Sequence, residues 1–179
     1  MITFPSSVEK APDYGVEYIH VSNGVYDRGS KRNNINEAQK VADLVFNHYR
    51  KYPNRSLGVV TFSEAQQQAV DAAIRQKRLQ NGMYEQFFIE DRDEPFFIKN
   101  LENVQGDERD TIIFSIGYAK DINGIMYMNF GPLSKEGGHR RLNVAVTRAK
   151  HNIKLVGSIM PTDIDIEKID HAFITEYEF

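Results

Sequence analysis

Cysteine is absent from all 179 residues. That excludes a disulfide framework and any thiolate-bound metal, and it suits a reducing, cytoplasmic setting. No apolar run approaches the roughly 20 residues that span a bilayer. The opening MITFPSSVEKAPDYG also lacks an apolar signal core, so a soluble protein with no membrane contact is expected. An excess of basic charge is missing as well. The 22 Lys and Arg stand against 25 Asp and Glu, a formal net charge of -3. A domain binding nucleic acid through bulk charge would be basic, so any phosphate contact must come from a local patch. Two phosphate-cradling patterns are also lacking: there is no GxxxxGK followed by Ser or Thr, and no GxGxxG after a strand. His20, His48, His139, His151 and His171 show no metal-ligand spacing and form no nucleophile triad, so no metal site is expected. The chain is not expected to run a chemical reaction unaided.

What is present reads as one folded domain. A composition 41% hydrophobic and 26% charged is near the globular average and supports a full core. Residues 1–14, with Pro5 and Pro12 and no periodicity, read as a linker or arm, 15–160 as the domain, and 161–179 as an extension or the start of a further segment. Val16–Val21 alternates as a strand does. A loop rich in Gly, Asn, Arg and Lys follows, and Asn36 then serves as the expected N-cap of a helix burying Ala38, Val41, Ala42, Val45 and Phe46. Leu57–Phe62 is short and nearly all apolar, the pattern of a strand covered on both faces. Ser63 opens a second helix with Gln66 at capping-box spacing. Its buried side is expected at Ala69, Val70, Ala73, Ile74 and Leu79, and Asn81-Gly82 stops it. Further strands are expected at 96–98, 111–116 and 152–157, with a short helix over Leu142–Ala149. Alternating strands and helices predict an α/β fold: a mostly parallel sheet covered by helices on both faces, with ligands at the carboxyl ends of strands.

Two segments carry candidate chemistry. In Val104-Gln105-Gly106-Asp107-Glu108-Arg109-Asp110, a Gln-Gly pair lets backbone approach a phosphate, and a nearby carboxylate can accept from ribose hydroxyls. The second runs from His139 to Lys150. Between Gly131 and Lys154 the cations Lys135, Arg140, Arg141, Arg148, Lys150 and Lys154 face the single acid Glu136. An arginine at the edge of a small-residue helix presents a planar fork that matches phosphate oxygens. Taken singly, each segment reads equally as a charged turn or a solvated helix face.

Together they resemble a known family. VQGDERDTIIFS resembles motif V of superfamily 1 helicases of the Upf-like type, and RRLNVAVTRAK resembles their motif VI. LGVVTFSEAQQQAV is similar to the strand and helix between them and the upstream segment, and NEAQKVADLV to the helix start before that. The four segments keep their order across residues 16–157, with wording closest to large bacterial helicase-related (AAA-domain) proteins. The resemblance implies a RecA-like, P-loop-NTPase-type fold acting as the second motor domain of an ATP-dependent helicase. A first RecA-like domain would be its partner and would hold most of ATP and Mg²⁺. By the same resemblance Arg148 would be the arginine finger, Gln105 and Gly106 would lie near the γ-phosphate, and Glu108 would bind the ribose. Lys99, Asn100 and Asn103, with Arg28, Lys31 and Arg32, would contact single-stranded DNA or RNA. The chain departs from the family in having Thr61-Phe62-Ser63 in place of a Tyr-containing turn, and in lacking the Tyr-Arg motif that opens such domains. The alternative is a catalytically retired RecA-like module used for binding or regulation. Tyr127 and Phe130 are expected either in the core or on a base-stacking platform.

Overall fold

The computed structural model describes residues 13–89 and 92–165. Most of the expected arm and of the expected extension therefore lie outside the described residues. Five strands, β1 (Gly15–His20), β2 (Leu57–Thr61), β3 (Phe97–Asn100), β4 (Arg109–Ser115) and β5 (Ala149–Gly157), form one sheet in the order β1-β5-β4-β2-β3. Every pairing is parallel. Three helices, α1 (Ile35–Lys51), α2 (Glu64–Gln80) and α3 (Gly138–Val146), connect them. The expected α/β sheet covered on both faces is the fold observed.

Direction of travel explains the layering. From β1 to β2 to β3 the chain moves one way across the sheet, and α1 and α2 cover one face. From β3 to β4 to β5 it reverses, so right-handed crossovers put the 101–108 connection and α3 on the other face. Two cores result. Val41, Ala42, Val45, Phe46, Val70 and Ile74 pack against Leu57, Val59, Ile113 and Val156 on the first face. On the second, Leu101, Val104 and Ala145 pack against Val60, Ile112 and Phe114. All five residues of β2 are buried, as its nearly all-apolar run implies. Full burial of a side chain such as Leu57, Val59 or Val60 contributes about 1.5–3 kcal/mol.

Local chemistry moved several boundaries. The α1 cap is Asn34, not Asn36, because the Asn34 side chain accepts from the Glu37 N–H, while Asn36 donates to the Asn23 carbonyl. Ser63 caps α2 through the Gln66 N–H, but the Gln66 side chain does not return to close a capping box. Leu79 is 89% exposed rather than buried, since five residues after Ile74 it turns off the apolar stripe, while Lys77 and Arg78 of the same turn lie over Phe46 and Phe88. Helix α3 begins four residues before the expected Leu142 and ends at Val146, which leaves Arg148 in the turn that follows.

Candidate functional site at the two ends of the sheet

Glu108 and Arg148 meet at the amino ends of β4 and β5, although 40 positions separate them. The Arg148 guanidinium lies 3.8 Å from the Glu108 carboxylate. Backbone pairing forces the approach: the Arg109 N–H donates to the Arg148 carbonyl at 3.0 Å, where the two strands begin. Arg148 also donates from Nε to the Val144 carbonyl at 3.0 Å and from Nη2 to Thr147 Oγ1 at 3.1 Å. These are surface contacts of modest strength, readily exchanged for a ligand's oxygens.

Gln105 and Gly106 are exposed on the same approach to β4. Gly106 has φ 78°, and a Cβ added there would touch nothing within 4 Å, so the backbone stands open to close approach. Lys99 is ion-paired with Asp107, which draws it toward this segment. Asn103 is exposed. Asn100 is 5% exposed, and its carboxamide accepts from the Glu102 N–H and donates to Gln67. Ligands are expected at the carboxyl ends of the strands in such a sheet. Glu108 and Arg148 sit at the opposite end, because each lies immediately before its strand.

The carboxyl ends carry a second feature. A cleft of about 460 Å³ is lined by Arg28 and Arg32 from the loop after β1, by Ser63 and Glu64 at the start of α2, and by Tyr118 and Asn129 beyond β4. The Arg28 guanidinium lies 3.4 Å from the Tyr127 ring centroid, a cation–π contact. Arg32 adopts a left-handed conformation, φ 54°, rare outside glycine. Tyr127 is 40% exposed beneath the Arg28 guanidinium, and Phe130 packs against the second core.

Beneath this cleft lies a buried polar cluster that sequence reasoning missed. Glu37 is fully buried and accepts from Ser115 Oγ and from the Gly117 N–H, both at 2.7 Å. Burial pushes its carboxyl up to about 7, partly offset by those hydrogen bonds. Gln66 donates to Ser115 and to the Asn34 carbonyl, and accepts from the Asn34 N–H at 2.8 Å. A detectable signal existed: Glu37 falls four residues before Val41, on the apolar stripe of α1. Arg109 was missed too. It is buried, donates to the Pro95 and Glu108 carbonyls, and so braces the segment that presents Glu108.

Comparison with known proteins follows the same outline. A family model described as AAA domain matches residues 8–160. The chain belongs to this family. The AAA domain is 40% identical over 131 residues to "Uncharacterized ATP-dependent helicase MG140" of Mycoplasma genitalium, covering 68% of this chain and 11% of that protein. It is 44% identical over 103 residues to the homolog in Mycoplasma pneumoniae, covering 56% and 9%. The chain thus spans about a tenth of the length of these curated relatives. A solved structure of the C-terminal domain of a possible DNA helicase from Lactobacillus plantarum WCFS1 is similar with a TM-score of 0.46 and 16% identity, over 92% of this chain and 84% of that one. Among the described residues, no helix of this AAA domain is long and apolar enough to cross a membrane. Among the described residues, no three His, Asp or Glu gather so as to hold a metal ion.

Proposed function

We propose that this AAA domain is the second RecA-like motor domain of an ATP-dependent superfamily 1 helicase. It completes an ATP site whose phosphate cradle belongs to a first domain. The observation that carries this reading is the juxtaposition of Glu108 and Arg148 across the start of β4 and β5. An acceptor suited to ribose hydroxyls and a guanidinium suited to phosphate oxygens share one exposed edge, with Gln105 and the open Gly106 backbone beside them. Bound ATP would supply the bond to be cleaved. Arg148 would leave Glu108 to stabilise charge on the terminal phosphate, and the freed Glu108 would accept from the sugar. By the resemblance to superfamily 1 helicases, the Mg²⁺ ligands would come from the first domain and the triphosphate.

Single-stranded DNA or RNA would run over the carboxyl ends, held by Arg28, Arg32 and Lys31 and by the exposed Asn103. Lys99 would join only by releasing Asp107. The alternation of domain closure and opening with ATP turnover would move the strand.

The test is ATP hydrolysis by the longer protein that carries this domain, with and without single-stranded DNA or RNA, beside the 179-residue chain alone. The longer protein should hydrolyse MgATP faster with nucleic acid, and the chain alone should be silent. Arg148→Ala should lower the rate by about 10³-fold or more. A longer protein inert with every nucleic acid would sink the motor reading and favour a retired binding or regulatory module.

A further inference from the structure

Four chain segments that leave or enter the carboxyl end of the sheet converge on Glu37. Ser115 is the last residue of β4, and Gly117 follows it with φ 78°, a conformation that favours glycine. Gly117 also packs so closely on Gln66 that an added Cβ would lie 2.9 Å from that side chain. Ser158, directly after β5, accepts from Asn34 Nδ2 at 3.0 Å. Asn34 Nδ2 also reaches Glu37 at 3.4 Å. Gly24 abuts both Ser158 and Asn34. The basic loop, residues 25–33, is therefore bracketed by two residues seated in this cluster. The far ends of β4 and β5 begin at Arg109 and Ala149, next to Glu108 and Arg148.

We propose that Glu37 is a positioning residue. Through Ser115 and Gly117 on β4, and through Asn34 and Ser158 beyond β5, its buried carboxylate couples the basic loop to the register of Glu108 and Arg148 at the opposite end of those strands. The coupling of grip to ATP turnover rests on the motor reading above, whereas the mechanical link between the two ends does not. The distance to be bridged is about 20 Å, six strand residues at roughly 3.3 Å each. A hydrogen-bonded sheet with buried strands transmits displacement over that span without a flexible joint.

Glu37→Gln is the discriminating variant because it keeps the volume. Its oxygen can still accept from Ser115 and Gly117, but its NH₂ then faces the Asn34 NH₂. Turning Asn34 over would relieve that clash and lose the cap on the Glu37 N–H. Amide hydrogen exchange on the 179-residue chain is measured for wild type, Glu37→Gln and Ser115→Ala. Coupling predicts about 10-fold faster exchange at the Arg109 N–H, beyond any change at Val60 in β2, which reports general loosening. Faster exchange confined to residues 24–34 and Gly117 overturns the proposal and leaves Glu37 a local strut.

In the longer protein, Glu37→Gln should reduce nucleic-acid stimulation of ATP hydrolysis by about 10-fold, within the usual range for coupled sites. Basal hydrolysis should stay within about two-fold of wild type, as expected of coupling rather than catalysis. Unchanged stimulation overturns the coupling. If the Arg109 amide responds while the longer protein shows no nucleic-acid stimulation at all, the mechanical link stands and the motor reading fails.

Discussion

The two ends of this sheet are built from the same residue classes under opposite conditions. At the amino end, Glu108 pairs with Arg148 and Glu94 with Lys150, all four side chains being partly exposed to solvent. At the carboxyl end, Glu37, Gln66, Ser115 and Asn34 are buried, and their polar atoms are paired with one another. Exposed pairs cost little to break and can be traded for ligand contacts. A buried network is costly to break, because each orphaned donor keeps its full desolvation penalty. One end is suited to exchanging partners and the other to holding shape.

The largest effects should separate the ends cleanly. Arg148→Ala should remove about three orders of magnitude of ATP turnover in the longer protein, while the melting temperature of the chain moves by no more than about 2 °C. Glu37→Ala should do the reverse to stability. It orphans the Ser115 hydroxyl and the Gly117 N–H, and denaturant unfolding should register a loss of about 3 kcal/mol. Equal stability losses for the two variants would erase the distinction.

The pH dependence sharpens the contrast. Glu37 binds its proton more tightly when folded, at about 7 against a usual 4.5, so its contribution is complete below 4.5 and is lost as pH rises through 7. Wild type should therefore lose about 1–3 kcal/mol relative to Glu37→Gln between pH 4.5 and 8. His48 is shifted the other way by burial, so its contribution is lost as pH falls below its usual value. It remains in both proteins and cancels in their difference. Parallel pH profiles would contradict this assignment.

At the basic loop, Arg28→Ala should weaken single-strand binding by the longer protein and lower the slope of log affinity against log salt by about 0.7. An unchanged slope would place the strand elsewhere. The smallest effect belongs to Ser63, whose side chain caps α2. Ser63→Ala should cost about 1 kcal/mol in denaturant unfolding, without altering ATP turnover beyond about two-fold.

Pattern made much of this legible. The alternation of apolar runs and helical stripes predicted a mostly parallel α/β sheet, and the five apolar residues expected to be buried on α1 are buried, though Glu37, His48 and Tyr49 are buried with them. The segments around Gln105 and Arg148 stood out by local charge and wording. Side-chain partners that lie far away in the chain were beyond such reading. Local pattern assigns Glu37 no partners, since Ser115 and Gly117 lie 78 and 80 positions away in the chain. Asn100 looked like a polar loop residue until Gln67 and the Glu102 N–H occupied it.

The sequence by itself determined which runs form buried strands, where helices start within two to four residues, and which segments concentrate basic charge. These follow from apolar period, capping chemistry and local charge, all short-range properties. Only the tertiary structure decided that Glu108 and Arg148 share an edge, that this edge is the amino end of the sheet, and that a glutamate and a glutamine are buried beneath the opposite one. Those outcomes depend on strand order and register, which join residues tens of positions apart through backbone hydrogen bonds no local pattern encodes.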